Sequence, residues 1–371
     1  MTTAVIEEEG ESYVPIGQRP EWAGVAPRHL PALDPPVVSI ARDQQFGDLM
    51  DYFWAAVEAG EVSDRVLALT EEIIVELNSA NYTVWEWRWR CIQALGGMEV
   101  HAEAEEVLTR RVAHENPKNY QLWNHRRRCA LARGPQHAEQ ELAFAAEALA
   151  FDAKNYHAWA HRQALLAAFG SSSSSANSSS STSHGPATSS SLWESELAFT
   201  DRLLREDLRN NSAWNQRFFV LARGRLAGTQ AELNGREVDF VVSKIHAAAH
   251  NESAWAYLRG LAGLVGAPEH AAAVDERWRR TCEEVLTRHP SCAPALSLLA
   301  DVYAGQAAVL EQARLATGAQ SGEAAQAIAV ARQLSVKLLD RLVVADPLRA
   351  GYYQSKAANI KLQPQQPQHV I

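Results

Sequence analysis

Apolar and polar positions along this chain follow a helical rhythm. In "AEQELAFAAEALAFDAKN" (138–155) and "ESELAFTDRLLREDLRN" (194–210) apolar residues return every three or four positions, which is the spacing of one helix face. Upstream, "FGDLMDYFWAAVEAG" and "RVLALTEEIIVELN" read the same way, and "APALSLLADVYAG", "AIAVARQLSVKLLDRLVVADP" and "YYQSKAANI" continue it downstream with weaker signatures. No alternating run is long enough for a strand, so the pattern predicts an all-α chain.

Five stretches share a start: "NYTVWEWR" from Asn81, "NYQLWNHR" from Asn119, "NYHAWAHR" from Asn155, "NNSAWNQR" from Asn210 and "NESAWAYL" from Asn251. The tryptophans fall at 85, 123, 159, 214 and 255, in steps of 38, 36, 55 and 41. The long step holds a Ser-rich run, 171–191, and removing its 21 residues leaves 34. Asn reads as an N-cap, its side chain accepting from orphan N–H groups of the first turn. Tyr82, Trp85 and Trp89 then share one face. A helix pair repeated at this period predicts an α-α superhelix, a solenoid of helical hairpins in a TPR-like right-handed crescent.

The domain reading follows. Residues 1–40, Pro-rich and acidic, form a flexible or extended arm whose middle packs; 41–360 are the solenoid; 171–191 are a disordered insertion; 361–371 are a disordered tail.

Composition narrows the class. The chain has 371 residues, a net charge of −9 and 47% apolar residues, so no nucleic acid or anionic membrane is expected as a partner. Four cysteines without CxxC spacing read as free thiols of a reducing compartment. "MTTAVIEEEG" lacks an apolar signal core, no stretch approaches 18 consecutive apolar residues, and a cytoplasmic protein without membrane insertion is expected.

The repeats are informative where they differ. Trp recurs in all five, and Arg three residues later in four (Arg88, Arg126, Arg162, Arg217), which reads as scaffold. His125 and His161 read as packed or hydrogen-bonded, and Glu71–Glu72 and Glu105–Glu106 as solvated faces. Before the Asn, by contrast, come Ala80, Lys118, Lys154, Arg209 and His250; after it come Tyr82, Tyr120, Tyr156, Asn211 and Glu252. Lysine at a helix start opposes the macrodipole by a few tenths of a kcal/mol, about the size of one exposed charge–dipole term. It makes sense if an anion sits opposite, where free N–H groups already favour one. Periodicity therefore predicts an anion-friendly rim along Lys118, Lys154, Tyr120, Tyr156 and His157. It does not name the anion. No Ser/His/Asp set, phosphate loop, HExxH or other metal-ligand spacing occurs, so no self-contained active site and no metal ligands are expected in this chain.

With "PKNYQLWNHRR", "DAKNYHAWAHRQ", "EDLRNNSAWNQR", "HNESAWAYLRG" and the N-terminal "YVPIGQRPEWAGVAP" in hand, the sequence resembles the α subunits shared by protein farnesyltransferase and protein geranylgeranyltransferase type I. The likeness runs from Tyr13 to Tyr353 and is weakest after 265. The Ser-rich insertion and Leu258, in place of the repeat Arg, depart from it. The resemblance implies a crescent wrapped around a separate β subunit that holds a catalytic Zn2+, with Mg2+ needed for the farnesyl reaction. The heterodimer would transfer a prenyl group from its diphosphate to the cysteine of a CaaX-box protein. By matching positions, Lys118 is the catalytic lysine on the diphosphate; Tyr120, Asn155, Tyr156 and His157 border diphosphate and isoprenoid; Tyr82 and Gln121 border the CaaX peptide. Two other readings remain at this point: the α subunit of Rab geranylgeranyltransferase, and a non-enzymatic TPR-like peptide adaptor, although the Gly-Tyr and Ala positions of TPR units are absent.

Overall fold

The structure, a computed structural model, describes residues 13–29, 43–170, 189–224, 226, 230–264, 268–317 and 322–362. Every regular element among them is helical. They form two compact units, one up to Ser189 and one from Ser190.

In the first unit the described part of the N-terminal arm does pack. Two 3-10 turns, Ile16–Gln18 and Pro20–Trp22, bury Ile16 and Trp22. They lie against α1 (Gln44–Ala59), where Asp48 accepts from the Tyr13 hydroxyl at 2.6 Å and the Ile16 N–H at 2.7 Å. Helix α1 ends at Gly60, whose φ of 67° lets its N–H turn back to the carbonyls of Ala56 and Val57. Then come α2 (Asp64–Glu72, extended by a π turn Ile73–Leu77), α3 (Tyr82–Ala94), α4 (Met98–Glu115), α5 (Tyr120–Arg133), α6 (Ala138–Phe151) and α7 (Tyr156–Phe169).

The second unit holds α8 (Ser189–Glu206), α9 (Asn211–Arg223), α10 (Gln230–Ala247), α11 (Glu252–Leu264), α12 (Pro268–Arg288), α13 (Ala293–Thr317), α14 (Gly322–Ala345) and α15 (Ala350–Leu362). The last three residues of the Ser-rich run, 189–191, thus open α8, while 171–188 lie outside the described residues, as does the tail beyond 362. Helix α13 is long and apolar enough to cross a membrane, with a mean hydropathy of 1.3, but it packs on α12 and α14. Buried Leu296, Leu298 and Leu299 make it a core helix of this unit.

The repeat is built on a turn. Ahead of each Asn-capped helix the cap N–H donates to the carbonyl three residues back: Asn81 to Asn78, Asn119 to Asn116, Asn155 to Asp152, Asn210 to Asp207 and Asn251 to Ala248. The same turn recurs at Cys292 with His289 and at Arg349 with Asp346, followed four residues later by buried Leu296 and Tyr353. These are two further repeats that lack the Asn and Trp by which the others are found. The cap oxygen accepts from two N–H groups of its helix, for Asn155 those of His157 and Ala158 at 3.0 and 3.2 Å. The cap nitrogens of Asn119, Asn155 and Asn251 donate backwards to the previous repeat. The Pro117 carbonyl accepts from Trp123 Nε1 (2.8 Å) and from Asn155 Nδ2 (3.0 Å), and Ser79 and Leu208 accept from the matching pairs Trp85/Asn119 and Trp214/Asn251. At Ala249 the second donor is the Cys292 thiol. At 79, 117 and 208 one loop carbonyl therefore ties a tryptophan to its own turn and to the next hairpin.

A second ladder runs through the interior, and it corrects the reading of Glu105 as a solvated residue. Glu105, on α4, is 2% exposed. It accepts from Arg88 Nη2 at 2.5 Å, Arg88 Nε at 3.1 Å and His125 Nε2 at 2.7 Å. Glu141 on α6 does the same for Arg126 and His161, and Glu237 on α10 for Arg217 and Tyr257. Glu72 is also engaged, by Arg19, as are Glu71, by Arg88, and Glu106, by Gln140 and Arg133, all three nearer the surface than Glu105. Helical spacing alone gives an acid on an otherwise apolar face no partner. The partner is an arginine 17, 15 or 20 residues earlier on the facing helix. Leu258, standing where the fifth Arg would be, is fully buried instead.

The histidine rungs set an acid limit. Burial lowers the pKa of His125 and of His161 despite the carboxylate each faces, and each ring's Nδ1 is buried without a partner. A proton there would bury an N–H with no acceptor. The unfolded chain takes up that proton near pH 6.5 and the folded chain resists it, so stability falls as pH drops below that value. Glu105, held down at about 2 by His125 and Arg88 against the cost of its burial, adds a further loss below about pH 4.5. Gln216 fills the histidine position of the fourth repeat, donating to Glu196 at 2.7 Å. The His125→Gln, His161→Gln variant is therefore expected to flatten Tm against pH between 7 and 5, by up to about 1.4 kcal/mol per pH unit for each histidine. Parallel melting curves across that range would rule out the imidazoles as its source.

Candidate functional site

The Asn-to-Trp frame leaves a defined set of side chains outside it. Tyr82, Tyr120 and Tyr156 each occupy the first position of an Asn-capped helix, and they are 71%, 68% and 69% exposed. The cap forces this placement, because inward positions of the first turns are taken by Val84, Leu122 and Ala158 and by the tryptophans. In the first unit α5 and α7 then bring four of the expected site residues together. His157 lies edge-on to the Tyr120 ring at 4.3 Å between centroids and to the Tyr156 ring at 5.6 Å. Lys118, in the turn before α5, places Nζ 3.2 Å from Asp152 Oδ2 in the turn before α7.

Gln121 sits half-buried one position beyond Tyr120, its N–H held by the Asn119 cap. Tyr82 stands one repeat earlier and makes no ring contact with the group among the described residues. Asn155 differs from the rest. It is 1% exposed and both ends of its amide are engaged, by the α7 N–H groups and the Pro117 carbonyl. It supports the rim from beneath and presents no free amide to a ligand. Lys154 is exposed, with its own N–H bonded to Asp152 Oδ1.

The electrostatics favour an anion. Lys118 is a mobile ammonium, 71% exposed. Burial lowers the pKa of His157, so near neutral pH it is an uncharged imidazole offering one N–H. Three tyrosine hydroxyls and the dipole ends of α5 and α7 complete a set of donors on one edge. One acid, Asp152, interrupts it. Sequence reasoning missed that residue; its signal was an Asp three residues before the cap, where the first two repeats have Asn78 and Asn116.

One cluster among the described residues has metal-binding side chains, Glu105, His125 and Cys129, with ligand atoms within 4.8 Å of one another. It does not fit a metal. Both Glu105 oxygens are taken by Arg88 and His125, and burial pushes the Cys129 thiol up to about 12. The third repeat keeps the Glu–His pair with Leu165 in place of the cysteine, as a structural pair would.

Hairpins locked by a shared Asn–Trp acceptor, with a cationic and aromatic rim at the cap end, define a helical-repeat protein of the protein prenyltransferase alpha subunit class. The repeat model of that description matches residues 102–132, 138–169 and 193–224. A protein farnesyltransferase/geranylgeranyltransferase type-1 subunit alpha from Pisum sativum is 40% identical over 69% of this chain and 69% of its own length. One of the same description from Solanum lycopersicum is 36% identical over 96% of this chain and 94% of its own. The chain belongs to the family of protein farnesyltransferase/geranylgeranyltransferase type-1 alpha subunits. A chain from the structure of Candida albicans protein geranylgeranyltransferase-I complexed with GGPP has the same fold, with a TM-score of 0.68 at 22% identity over 91% of this chain and 97% of that one.

Proposed function

We propose that the rim of Lys118, Tyr120, Tyr156 and His157 is this chain's contribution to a prenyl-diphosphate site completed by a β subunit, in a heterodimer that transfers a farnesyl or geranylgeranyl group to the cysteine of a CaaX protein. The observation that carries this reading is a division of labour. The amides, indoles and guanidiniums of the repeat frame are engaged within the protein, whereas the rim groups stand outside it, gathered within two consecutive helix starts.

In the reaction the substrate sulfur bonds to C1 of the prenyl chain while the C1–O bond breaks, and the electron pair leaves with the diphosphate. A zinc ion on the β subunit would keep the sulfur as thiolate. On this chain Lys118 faces the charge that grows on the departing oxygens. His157, neutral and wedged between two tyrosine rings, adds an N–H without a second cation. Tyr120 and Tyr156 supply flat apolar faces for an isoprenoid. Tyr82 and Gln121, further along the edge, suit the extended CaaX peptide, and Asn155 acts through the turn that carries His157. A cytoplasmic location fits the substrates. Magnesium belongs to the farnesyl reaction by resemblance and has no ligand assigned in this chain.

Co-expression with a farnesyltransferase or type-I β subunit is expected to yield a stable complex that prenylates a short CaaX peptide without further protein. A complex that works only on Rab proteins with an escort would assign the chain to the Rab enzyme. Failure to hold any β subunit would leave an adaptor.

A further inference from the structure

The pair between Lys118 and Asp152 joins two unequal residues. Lys118 has four rotatable methylenes and is 71% exposed. Asp152 is fixed in place: its N–H donates to the Ala148 carbonyl at 3.1 Å, its carbonyl accepts from the Asn155 N–H at 2.9 Å, and its Oδ1 accepts from the Lys154 N–H at 3.0 Å. With Oδ1 committed to the turn, Oδ2 is the atom that meets Lys118. The turn itself needs no charge. In the first repeat Asn78 makes it, its Oδ1 accepting from the Ala80 N–H at 2.9 Å. In the fourth repeat Asp207 makes it, accepting from the Arg209 N–H at 2.8 Å, so amide and carboxylate serve the turn alike and the charge at 152 is not what the turn requires. The Asp152 carboxyl is held below the usual range first by the Lys154 N–H and then by the Lys118 ammonium, so it is ionised throughout the neutral range. Exposed pairs of this kind add little stability, and what this one does is narrow the volume that a long ammonium explores.

We propose that Asp152 is a positioning residue that holds the Lys118 ammonium over the start of α7, beside His157 and Tyr120, before the prenyl diphosphate arrives. The inference rests on the reading of Lys118 given above. It assigns the effect to the chemical step. A fixed carboxylate beside an arriving diphosphate does not strengthen ground-state binding, whereas an ammonium already in place is available as the leaving group gains charge.

Asp152→Asn isolates the charge, because asparagine can make the same turn as Asn78. In the heterodimer with its β subunit, this variant is expected to lower the single-turnover transfer rate about fivefold, matching the roughly 1 kcal/mol an exposed pair can hold. The donor Kd should be no weaker and Tm unchanged, with Asp152→Glu recovering part of the rate. In a Lys118→Ala background the same change should do nothing further. An undiminished rate in Asp152→Asn would overturn the proposal. So would an equal loss in both backgrounds, or a loss that comes with a lower Tm. If Lys118→Ala alone leaves the rate intact, the functional reading of the rim fails instead, whatever position 152 shows.

Discussion

Replacing Lys118 with alanine is expected to slow single-turnover prenyl transfer by about 10²–10³-fold in the reconstituted heterodimer, the loss typical of removing one donor aimed at a developing anion. Association with the β subunit and Tm should not change, because the side chain is largely exposed and its exposed ion pair contributes little to folding. Lys118→Arg should recover only part of the rate, since a planar guanidinium cannot reproduce a point charge on that stem. A burst measurement with radiolabelled donor and CaaX peptide reads the step directly. A wild-type rate in the alanine variant would reduce the chain to a scaffold.

The largest effect on stability is expected at Glu105. Its removal leaves the Arg88 guanidinium, 1% exposed, with only the largely exposed Glu71 carboxylate at 3.3 Å to balance it, and the His125 Nε2 without its acceptor. Breaking a buried pair from one side costs about 3–5 kcal/mol, because the surviving charge is poorly hydrated, and here Glu71 offsets only part of it. Glu105→Ala should therefore shift urea unfolding by about that amount, and Glu105→Gln, which keeps acceptor and donor capacity for the imidazole, by less. Glu106→Ala, one residue along and nearer the surface, is the control and should stay within about 0.5 kcal/mol. Equal shifts for the two variants would contradict the interior ladder.

Much of this was legible in the sequence, for definite reasons. Asn followed four residues later by Trp marks a cap and a core anchor, which are local geometries, so five helix starts could be placed from spacing alone. The same spacing put Lys118, Tyr120, Tyr156 and His157 on one edge. What could not be read were contacts made across helices. Glu105 looks like any acid on a helix until Arg88 and His125 arrive from the helices on either side. The repeats at Cys292 and Arg349 keep the turn and drop its letters, with a thiol standing in for the amide. Asn155 matched the site pattern by position, yet its amide is spent on the Pro117 carbonyl. Asp152 differed from Asn78 and Asn116 in the sequence, but its meaning depends on the lysine of the previous hairpin.

The turns ahead of the five Asn-capped helices, and those at 289–292 and 346–349, are all of one size, while the connections at the other end of the Asn-capped helices range from three residues at 95–97 to the stretch that carries the Ser-rich run. The edge bearing Lys118 thus owes its register to hydrogen bonds within and between 116–119 and 152–155, a frame that does not depend on the length of the sequence between α7 and α8.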